Sequence, residues 1–474
     1  MKYTVYTIIY IMALVTSCST EENNDPLVGY WQGEAVFNNQ KSLIGLELIQ
    51  DSVDYEVNLL VPEYDWSFNF KGVTTNNDTI QIGGWNLLYD QTNQSISGTL
   101  PQVLVPKYEI PFQLTKSEKP QLEEATLKPT TRKPSAVIDL HESVWAGIRT
   151  IEGSILAATT DGHLFRVSPK NQAVEWSFKG QGAFRSEPAV YEDNIYVYSD
   201  DGIFYSISKT GQMNWKVQLE VDSLERLAKN YDFFSAKPAF TEDRIYYGNG
   251  SGGLYAINIT DGKVIWRYKT SGAIRTKAVV ANDMIIFGSF DGRVYALSRE
   301  GELIWNYDSG FPIVGGGTFY DGKVIFGSRD YTLFALSMNG ELSWQYYNWY
   351  SWVESTPVIE NDRLFVGSSD AQTITVLNPA NGKLQWNFDT GGCPWASPLV
   401  TSENVYAATV GNNSYFYKHF AYVISLNAET GEEQWRYALE NVKDTYYGFT
   451  GSPVLIDNMI WVGNTDGRIY GFEL

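Results

Sequence analysis

The sequence predicts an all-β protein in which a small antiparallel β module precedes an eight-bladed β-propeller. Two observations predict the propeller. A phrase of two short apolar runs around an Asp-Gly turn, such as "IIFGSFDGRVYAL" at residues 285–297, recurs along the chain. A tryptophan follows most copies after a second glycine turn, and a period of roughly forty residues is typical of four-stranded propeller blades.

The chain begins with the pattern of a cleaved export signal. Residues 1–17 contain one lysine, an apolar run and small residues directly before Cys18. The "VTSC" stretch resembles a lipobox, which implies lipidation of Cys18 and a lipid-anchored chain. An ordinary signal with a chance cysteine is the alternative. No later apolar run is long enough to span a bilayer.

A tether, a β module and a linker come next. Residues 18–26 include "STEENND", which resembles the acidic leader of lipoproteins sent to the outer face of the outer membrane, although a plain solvated spacer explains it equally well. Residues 27–116 alternate apolar and polar residues in short runs and predict five to seven antiparallel strands. Residues 117–135 are rich in proline and charge and predict a linker.

Residues 136–474 contain the repeated phrase and predict the propeller. In most copies a glycine supplies the positive φ of a two-residue hairpin turn, so each copy predicts two antiparallel strands. One four-stranded unit cannot bury both of its faces, which predicts sheets stacked around a ring. The tryptophans that follow the copies are expected to pack between adjacent sheets. They are Trp176, Trp215, Trp266, Trp305, Trp344, Trp386 and Trp435.

The last copy ends at Leu474 after its third strand, and an open sheet edge invites aggregation. Several of the repeat tryptophans precede the next inner strand by a fixed spacing of nine residues. The same count back from Trp145 leads to Ala136, the first residue of "AVIDL". We therefore expect this segment to supply the fourth strand of the last blade. Seven blades with an additional sheet is the alternative.

The repeat "DG-x-x-Y/F-A-x-x-x-x-x-G-x-x-x-W" resembles the pyrroloquinoline-quinone-type repeat with its tryptophan docking motif, over about 70% of the chain. Two kinds of protein share this repeat. One is the quinoprotein dehydrogenases, and the other is the non-catalytic propeller lipoprotein (BamB-like) of the outer-membrane β-barrel assembly machine. The fold alone does not choose between them.

Cysteine usage bears on the choice. Quinoprotein dehydrogenases hold pyrroloquinoline quinone with a vicinal cysteine pair, calcium and a catalytic aspartate, and several carry haem. This sequence contains only Cys18 and Cys393 and no haem motif. We therefore expect no cofactor, no metal site and no catalytic residue, with pyrroloquinoline quinone plus calcium as the alternative. A catalytic site assembled from distant blades stays open, so the sequence leaves enzyme activity uncertain.

The net charge of −20 disfavours nucleic acid and anionic lipid as partners. Nearly all insertions between strands fall on one face of the predicted ring, at 217–234, 346–352, 411–422 and 440–449. Long loops on a rigid scaffold commonly bind partners. We expect the aromatic rings of these loops to bind a protein, a peptide or a glycan, or else to pack on one another. They are Tyr346, Tyr347, Trp349, Tyr350, Trp352, Tyr415, Phe416, Tyr417, Tyr446, Tyr447 and Phe449.

The starts of the inner strands point to the mouth of the central funnel on the same face. They are Trp145, Arg185, Arg275, Glu354 and Trp395, with Glu187, Lys237 and Lys277 two residues deeper. These groups either hold a small polar ligand or pair with one another around water. We favour the paired interpretation.

The sequence therefore predicts a non-catalytic, membrane-anchored propeller lipoprotein that acts as a binding scaffold, as the assembly-machine propeller does. Its expected location is the outer membrane, on the periplasmic or the surface-exposed side, and its expected partner is an envelope protein or peptide, or a glycan. The alternatives are a quinone-dependent dehydrogenase-like enzyme and a glycan-binding or sensor propeller that uses the funnel.

Overall fold

The computed structural model of the protein describes residues 25–37, 40–51, 54–61, 66–76, 78–82, 84–101, 109–120, 125–221, 235–414 and 418–474. All regular elements in these ranges are β-strands, which confirms the predicted all-β class. A search of the described residues for a helix long and apolar enough to cross a membrane found none.

The first eight strands form a closed antiparallel barrel, because β1 pairs with both β2 and β8. These strands are β1 Gly29–Phe37, β2 Gln40–Asp51, β3 Asp54–Val61, β4 Trp66–Asn76, β5 Thr79–Ile82, β6 Trp85–Asp90, β7 Ser95–Thr99 and β8 Pro111–Ser117. The barrel has more strands than the five to seven expected. The stretch "TIQIGGWNLLYD" forms two strands, and "PFQLTKS" closes the barrel against β1.

Side chains that alternate along the strands fill the barrel interior, most regularly in β6. In β6 the side chains of Trp85, Leu87 and Tyr89 point inward, whereas Leu88 is 60% exposed. The ring of Trp31 is fully buried and its indole N–H donates to the carbonyl oxygen of Leu27 at 2.9 Å. The inward rows of neighbouring strands thus make one apolar core, as expected for an eight-stranded barrel of this size.

The propeller strands follow in eight sets. The strand β9 Ala136–Asp139 comes first. Blade one contains β10 Ile148–Ile151, β11 Ser154–Ala158, β12 His163–Ser168 and β13 Ala173–Lys179, and blade two β14 Ala189–Tyr191, β15 Asn194–Tyr198, β16 Ile203–Ser208 and β17 Met213–Gln218. Blade three contains β18 Ala239–Phe240, β19 Arg244–Gly248, β20 Gly253–Asn258 and β21 Val264–Lys269, and blade four β22 Val279–Ala281, β23 Met284–Gly288, β24 Arg293–Ser298 and β25 Leu303–Asp308.

The remaining blades repeat this order. Blade five contains β26 Thr318–Tyr320, β27 Lys323–Gly327, β28 Thr332–Ser337 and β29 Leu342–Tyr347, and blade six β30 Val358–Glu360, β31 Arg363–Gly367, β32 Thr373–Leu377 and β33 Leu384–Asp389. Blade seven contains β34 Leu399–Val400, β35 Asn404–Ala408, β37 Tyr422–Asn427 and β38 Glu433–Ala438, with a separate ribbon of β36 Val410–Gly411 and β39 Tyr447–Gly448. Blade eight contains β40 Val454–Ile456, β41 Met459–Gly463, β42 Arg468–Glu473 and the early strand β9.

The early strand β9 closes the ring. It pairs antiparallel with β42, with Ala136 opposite Gly471 and Ile138 opposite Ile469. The side chain of Ile138 is 4% exposed and belongs to a core shared by the first and last blades. The predictions of eight blades and of closure by the "AVIDL" segment are confirmed.

Tryptophans connect consecutive blades. The indole N–H of each donates to a backbone carbonyl oxygen of the next blade at 2.8 to 3.1 Å in five cases. These are Trp176, Trp215, Trp266, Trp305 and Trp344. The ring lies against a turn glycine of that next blade, for example Trp266 against Gly301. The repeated tryptophan therefore fills the space between two sheets and also satisfies its one polar atom.

Candidate functional site

The described parts of the predicted binding loops lie on one face of the propeller, and the loop after β29 is covered by the N-terminal barrel. The side chains of Tyr347, Trp349 and Tyr350 are 0%, 5% and 2% exposed. They belong to the same apolar core as the barrel interior, with Tyr331 packed against them. The ring centroids of Tyr347 and Trp349 are 5.0 Å apart, edge to face. Burial raises the pKa of Tyr347 well above its ordinary value.

This position differs from the open rim that the sequence predicted for Tyr346, Tyr347, Trp349 and Tyr350. Tyr346 is buried in a core with Val353 and strands of the fifth and sixth blades. The other three rings are occupied by the chain's own barrel. Several large aromatic residues in one loop indicate that the loop packs against another surface. They do not identify which surface that is.

Trp352 lies just beyond the covered loop and is half-buried. The guanidinium of Arg329 stacks on its ring at 4.3 Å, a favourable cation–π distance. Arg329 also forms an ion pair with Glu354 at 2.7 Å, and both of these side chains are buried. The predicted rim residue Trp352 and the predicted funnel residue Glu354 are thus held by the same arginine.

The loops of the seventh blade bring Tyr446 and Tyr447 to different places. Tyr446 is half-buried, and its ring lies 5.0 Å from the ring of Trp395. Tyr447 is in the short strand β39, is 1% exposed, and has a pKa raised to about 12 by burial. Tyr415, Phe416 and Tyr417, like Cys18, lie outside the residues that the structure describes.

A groove remains open on the same face between the last two blades. Its volume is about 510 Å³, and the segment before β9 forms one wall. That segment is fixed to the propeller, since the amide of Thr131 donates to the carbonyl oxygen of Arg436 at 2.8 Å. Polar groups and tyrosines line the groove. They include Lys133, Tyr437, Asn441, Lys443, Tyr447, Asp466, Arg468 and Tyr470.

The sequence prediction omitted this groove. Lys133 lies in the segment that the sequence predicts as a linker, and Asp466 and Arg468 lie in the repeated stretch of the last blade. The predicted ring closure is the sequence signal for this groove. The segment that leads into β9, which pairs with β42, must pass over the neighbouring blades.

Four of the five predicted funnel-mouth residues line one cavity at the centre of the ring, and Trp145 is not part of its lining. The cavity volume is about 80 Å³, and its lining includes Arg185, Arg275, Glu354 and Trp395. The guanidinium of Arg185 pairs with Asp200 at 2.8 Å, and the indole N–H of Trp395 donates to Ser369 at 3.2 Å. The carbonyl oxygen of Trp145 accepts a bond from the hydroxyl of Thr450.

Below this level, Glu187 is 3% exposed and pairs with both Arg149 and Lys237. Glu187 therefore holds two of the cations at this level, whereas no ion pair of Lys277 is present in the described part of the chain. Arg149 is not among the residues that the sequence predicts for the funnel.

The carboxylates that line the described part of the funnel are engaged by cationic side chains of the chain itself. Calcium is held by several oxygen ligands, but the carboxylates of Glu187 and Glu354 are each engaged by cationic side chains. Among the described residues no three histidine, cysteine or acidic side chains come close enough to hold a metal ion. A cavity of about 80 Å³ is also smaller than the roughly 300–1,000 Å³ of ordinary ligand sites.

Eight four-stranded blades, repeat tryptophans that cap the next blade, and loops on a single face define a pyrroloquinoline-quinone-type repeat propeller. The sequence profile of the family described as "Outer membrane protein assembly factor BamB" matches residues 125–232, 223–347 and 291–443, which is more than half of the chain. The chain belongs to this family. The comparison with curated proteins gave no match.

Solved structures share the propeller fold. BamB from Moraxella catarrhalis superposes with a TM-score of 0.55 and 17% identity, covering 73% of this chain and 100% of that one. The computationally designed Ika8 protein gives 0.57 and 14%, covering 71% and 99%. Sqt1 of Saccharomyces cerevisiae gives 0.58 and 12%, covering 72% and 99%. At these identities the likeness describes the fold alone.

Proposed function

We propose that this protein is a non-catalytic binding scaffold of the cell envelope that recognises a polypeptide partner on the long-loop face of its propeller. The proposal extends the family description, outer membrane protein assembly, to this chain. It also includes anchoring through lipidated Cys18, which the "VTSC" stretch supports.

The observation that carries the proposal is the division of the long-loop face. One arc, around Tyr347, Trp349 and Tyr350, already holds a folded protein module, the N-terminal barrel. The arc between the last two blades leaves an open groove of about 510 Å³. A face that packs against one protein module through its loops has the chemistry to bind another.

The groove fits an extended polypeptide that carries acidic side chains. The ammonium groups of Lys133 and Lys443 line it and form no ion pair within the described parts of the chain. The rings of Tyr437 and Tyr470 stand beside them, 5.6 Å apart. Tyrosine offers a large contact area with few rotatable bonds, and unpaired lysines attract carboxylates.

Site-specific photo-crosslinking in the native envelope tests this proposal. A photoreactive residue in place of Asn441, an exposed residue of the groove, is expected to give a discrete covalent adduct with a protein. The matched control is Glu300, an exposed turn residue on the opposite face between β24 and β25. The same adducts from both positions, or none from position 441, would exclude the groove as the docking site.

A further test asks whether charge guides the partner. Replacing Lys133 and Lys443 together by glutamine is expected to weaken the adduct at position 441 strongly. Replacing Lys263, an exposed lysine on the opposite face, is expected to leave it unchanged. Equal adduct yields in the two variants would leave no role for the lysines of the groove.

A further inference from the structure

One level of the funnel carries side chains of uneven charge. At the position two residues into each inner segment, blades two, three and four present Glu187, Lys237 and Lys277 to the central cavity. The other blades present small or hydroxyl-bearing residues there, among them Gly316, Thr356, Ser397 and Ser452. At this level the charged side chains therefore lie on one half of the ring, and the small side chains of the other half leave open space in the cavity.

The charges on this level do not balance. The single carboxylate of Glu187 accepts Lys237 at 2.5 Å and also Arg149. Lys277 is a third cation near the same carboxylate, and its ammonium forms no ion pair or hydrogen bond with any described residue. Three cations against one carboxylate leave a local charge of +2.

The electrostatics of Lys277 reflect this imbalance. Desolvation by the surrounding blades lowers the pKa of its ammonium group, and repulsion from Arg149 and Lys237 lowers the pKa further, while Glu187 opposes both effects. The side chain is nevertheless accessible to the water of the funnel. An anion that entered the cavity would meet a cation that no neighbouring side chain neutralises.

Hydrogen-bond donors stand around the same cavity. The hydroxyl oxygen of Thr356 accepts the amide of Gly316 at 2.8 Å, so its own proton stays available for donation. The hydroxyl of Ser452 is half-buried and makes no hydrogen bond within the described residues. Oxyanions are bound by this combination of an ammonium group and neutral O–H donors.

We propose that the funnel of this propeller is a binding site for a small oxyanion, a phosphate or a carboxylate, with Lys277 as its principal ligand. Lys237 and Arg149 hold Glu187 and keep the local field positive. The cavity of about 80 Å³ sets the size of the ligand. One water needs roughly 10–15 Å³ in the same measure, so the site takes a group the size of a few waters.

The site is independent of the polypeptide groove. It lies at the centre of the ring, where all eight blades contribute to its lining, and none of its residues lines the groove between the last two blades. The local positive charge of the site is opposite in sign to the net charge of the chain, which is −20. A positive cleft in low-dielectric walls concentrates anions locally even in an acidic protein.

Calorimetric titration of the purified full-length chain with inorganic phosphate, and separately with succinate, tests the site. A chloride salt keeps the ionic strength the same in all titrations. The wild-type protein is expected to bind one of these oxyanions with one-to-one stoichiometry. The variant Lys277→Gln is expected to lose about tenfold or more in affinity, because it removes the charge-assisted bond.

The matched control is Lys263→Gln, which removes one exposed lysine that pairs with Asp261 at 2.7 Å on the opposite face. It is expected to titrate like the wild type. Thermal unfolding without added anion checks the fold, and Lys277→Gln is expected to be at least as stable as the wild type because it relieves repulsion. Heats that are absent for both anions in the wild type, or that are equal in the two variants, would overturn the proposal.

Discussion

At the scale of single residues, the contact between a tryptophan and a turn glycine of the next blade recurs around the ring. Gly301 has a φ of +87°, and a Cβ placed on it would lie 2.8 Å from Cδ2 of Trp266. Glycine is therefore required at position 301 for two reasons: the backbone is in the left-handed region, and the indole ring lies too close for a Cβ atom.

The two demands can be separated by substitution. Gly322, in the turn between β26 and β27, has a φ of +70° but no atom within 4 Å of a built Cβ. We expect Gly322→Ala to lower the free energy of unfolding by about 1–2 kcal/mol from backbone strain alone. Gly301→Ala is expected to cost about 1–3 kcal/mol more, because the added methyl group presses on the indole.

Urea denaturation followed by tryptophan fluorescence measures both variants against the wild type. The comparison requires equal denaturant slopes in the three proteins. If Gly301→Ala were no less stable than Gly322→Ala, the tryptophan contact would have no energetic weight beyond the turn.

At the scale of elements, β9 is short but closes the ring. Its four residues alternate between a buried and an exposed face, with Ile138 at 4% and Val137 at 40% exposure. Ile138→Ala is expected to lower the free energy of unfolding by about 2–5 kcal/mol, since it leaves a cavity between the first and last blades.

The neighbouring residue provides the control for this strand. Val137→Ala removes a solvent-facing side chain from the same four residues and is expected to change stability by less than about 0.5 kcal/mol. Chemical denaturation and size-exclusion chromatography together report loss of closure, because an opened blade exposes an unpaired edge. Similar effects of the two substitutions would mean that β9 contributes pairing alone.

The sequence was sufficient to predict β9, because the repeat has a fixed spacing and the last copy is one strand short. It was also sufficient for the number of blades. The cover over Tyr347, Trp349 and Tyr350 could not be predicted in the same way. Periodicity specifies which rings share a loop, whereas the contact of that loop with the barrel depends on the shapes of two separately folded surfaces.

The groove and the charge imbalance at Lys277 were beyond sequence reasoning for a related reason. The register placed Glu187, Lys237 and Lys277 at one level of the funnel. It did not show that Arg149 would also reach Glu187, a contact that raises the surplus positive charge at this level from +1 to +2.

At the scale of the whole molecule, the barrel and the propeller are joined by both a covalent segment and a packed interface. Three rings of the propeller are buried in the core of the barrel. We therefore expect the two parts to stay together after a site-specific protease cut introduced between Ser117 and Pro120, where the side chains before the proline are exposed.

Size-exclusion chromatography of the cut protein gives the result directly. The two fragments are expected to co-elute in the wild type and in Trp352→Ala, because Trp352 lies outside the shared core. In Trp349→Ala they are expected to separate, since loss of a buried tryptophan costs about 3–5 kcal/mol of packing. If the two fragments separated after cleavage of the protein that carries only the introduced protease site, the covalent linker alone would hold the barrel in place.

The closure by β9 has a consequence in time. Asp139 and its partner Arg468 are 329 positions apart, so the ribosome makes one long before the other. At roughly 5–20 residues per second, each nascent chain carries β9 for tens of seconds before β42 exists. The ring cannot be completed until β42 has emerged, and any factor that shields the unpaired strand must act within that interval.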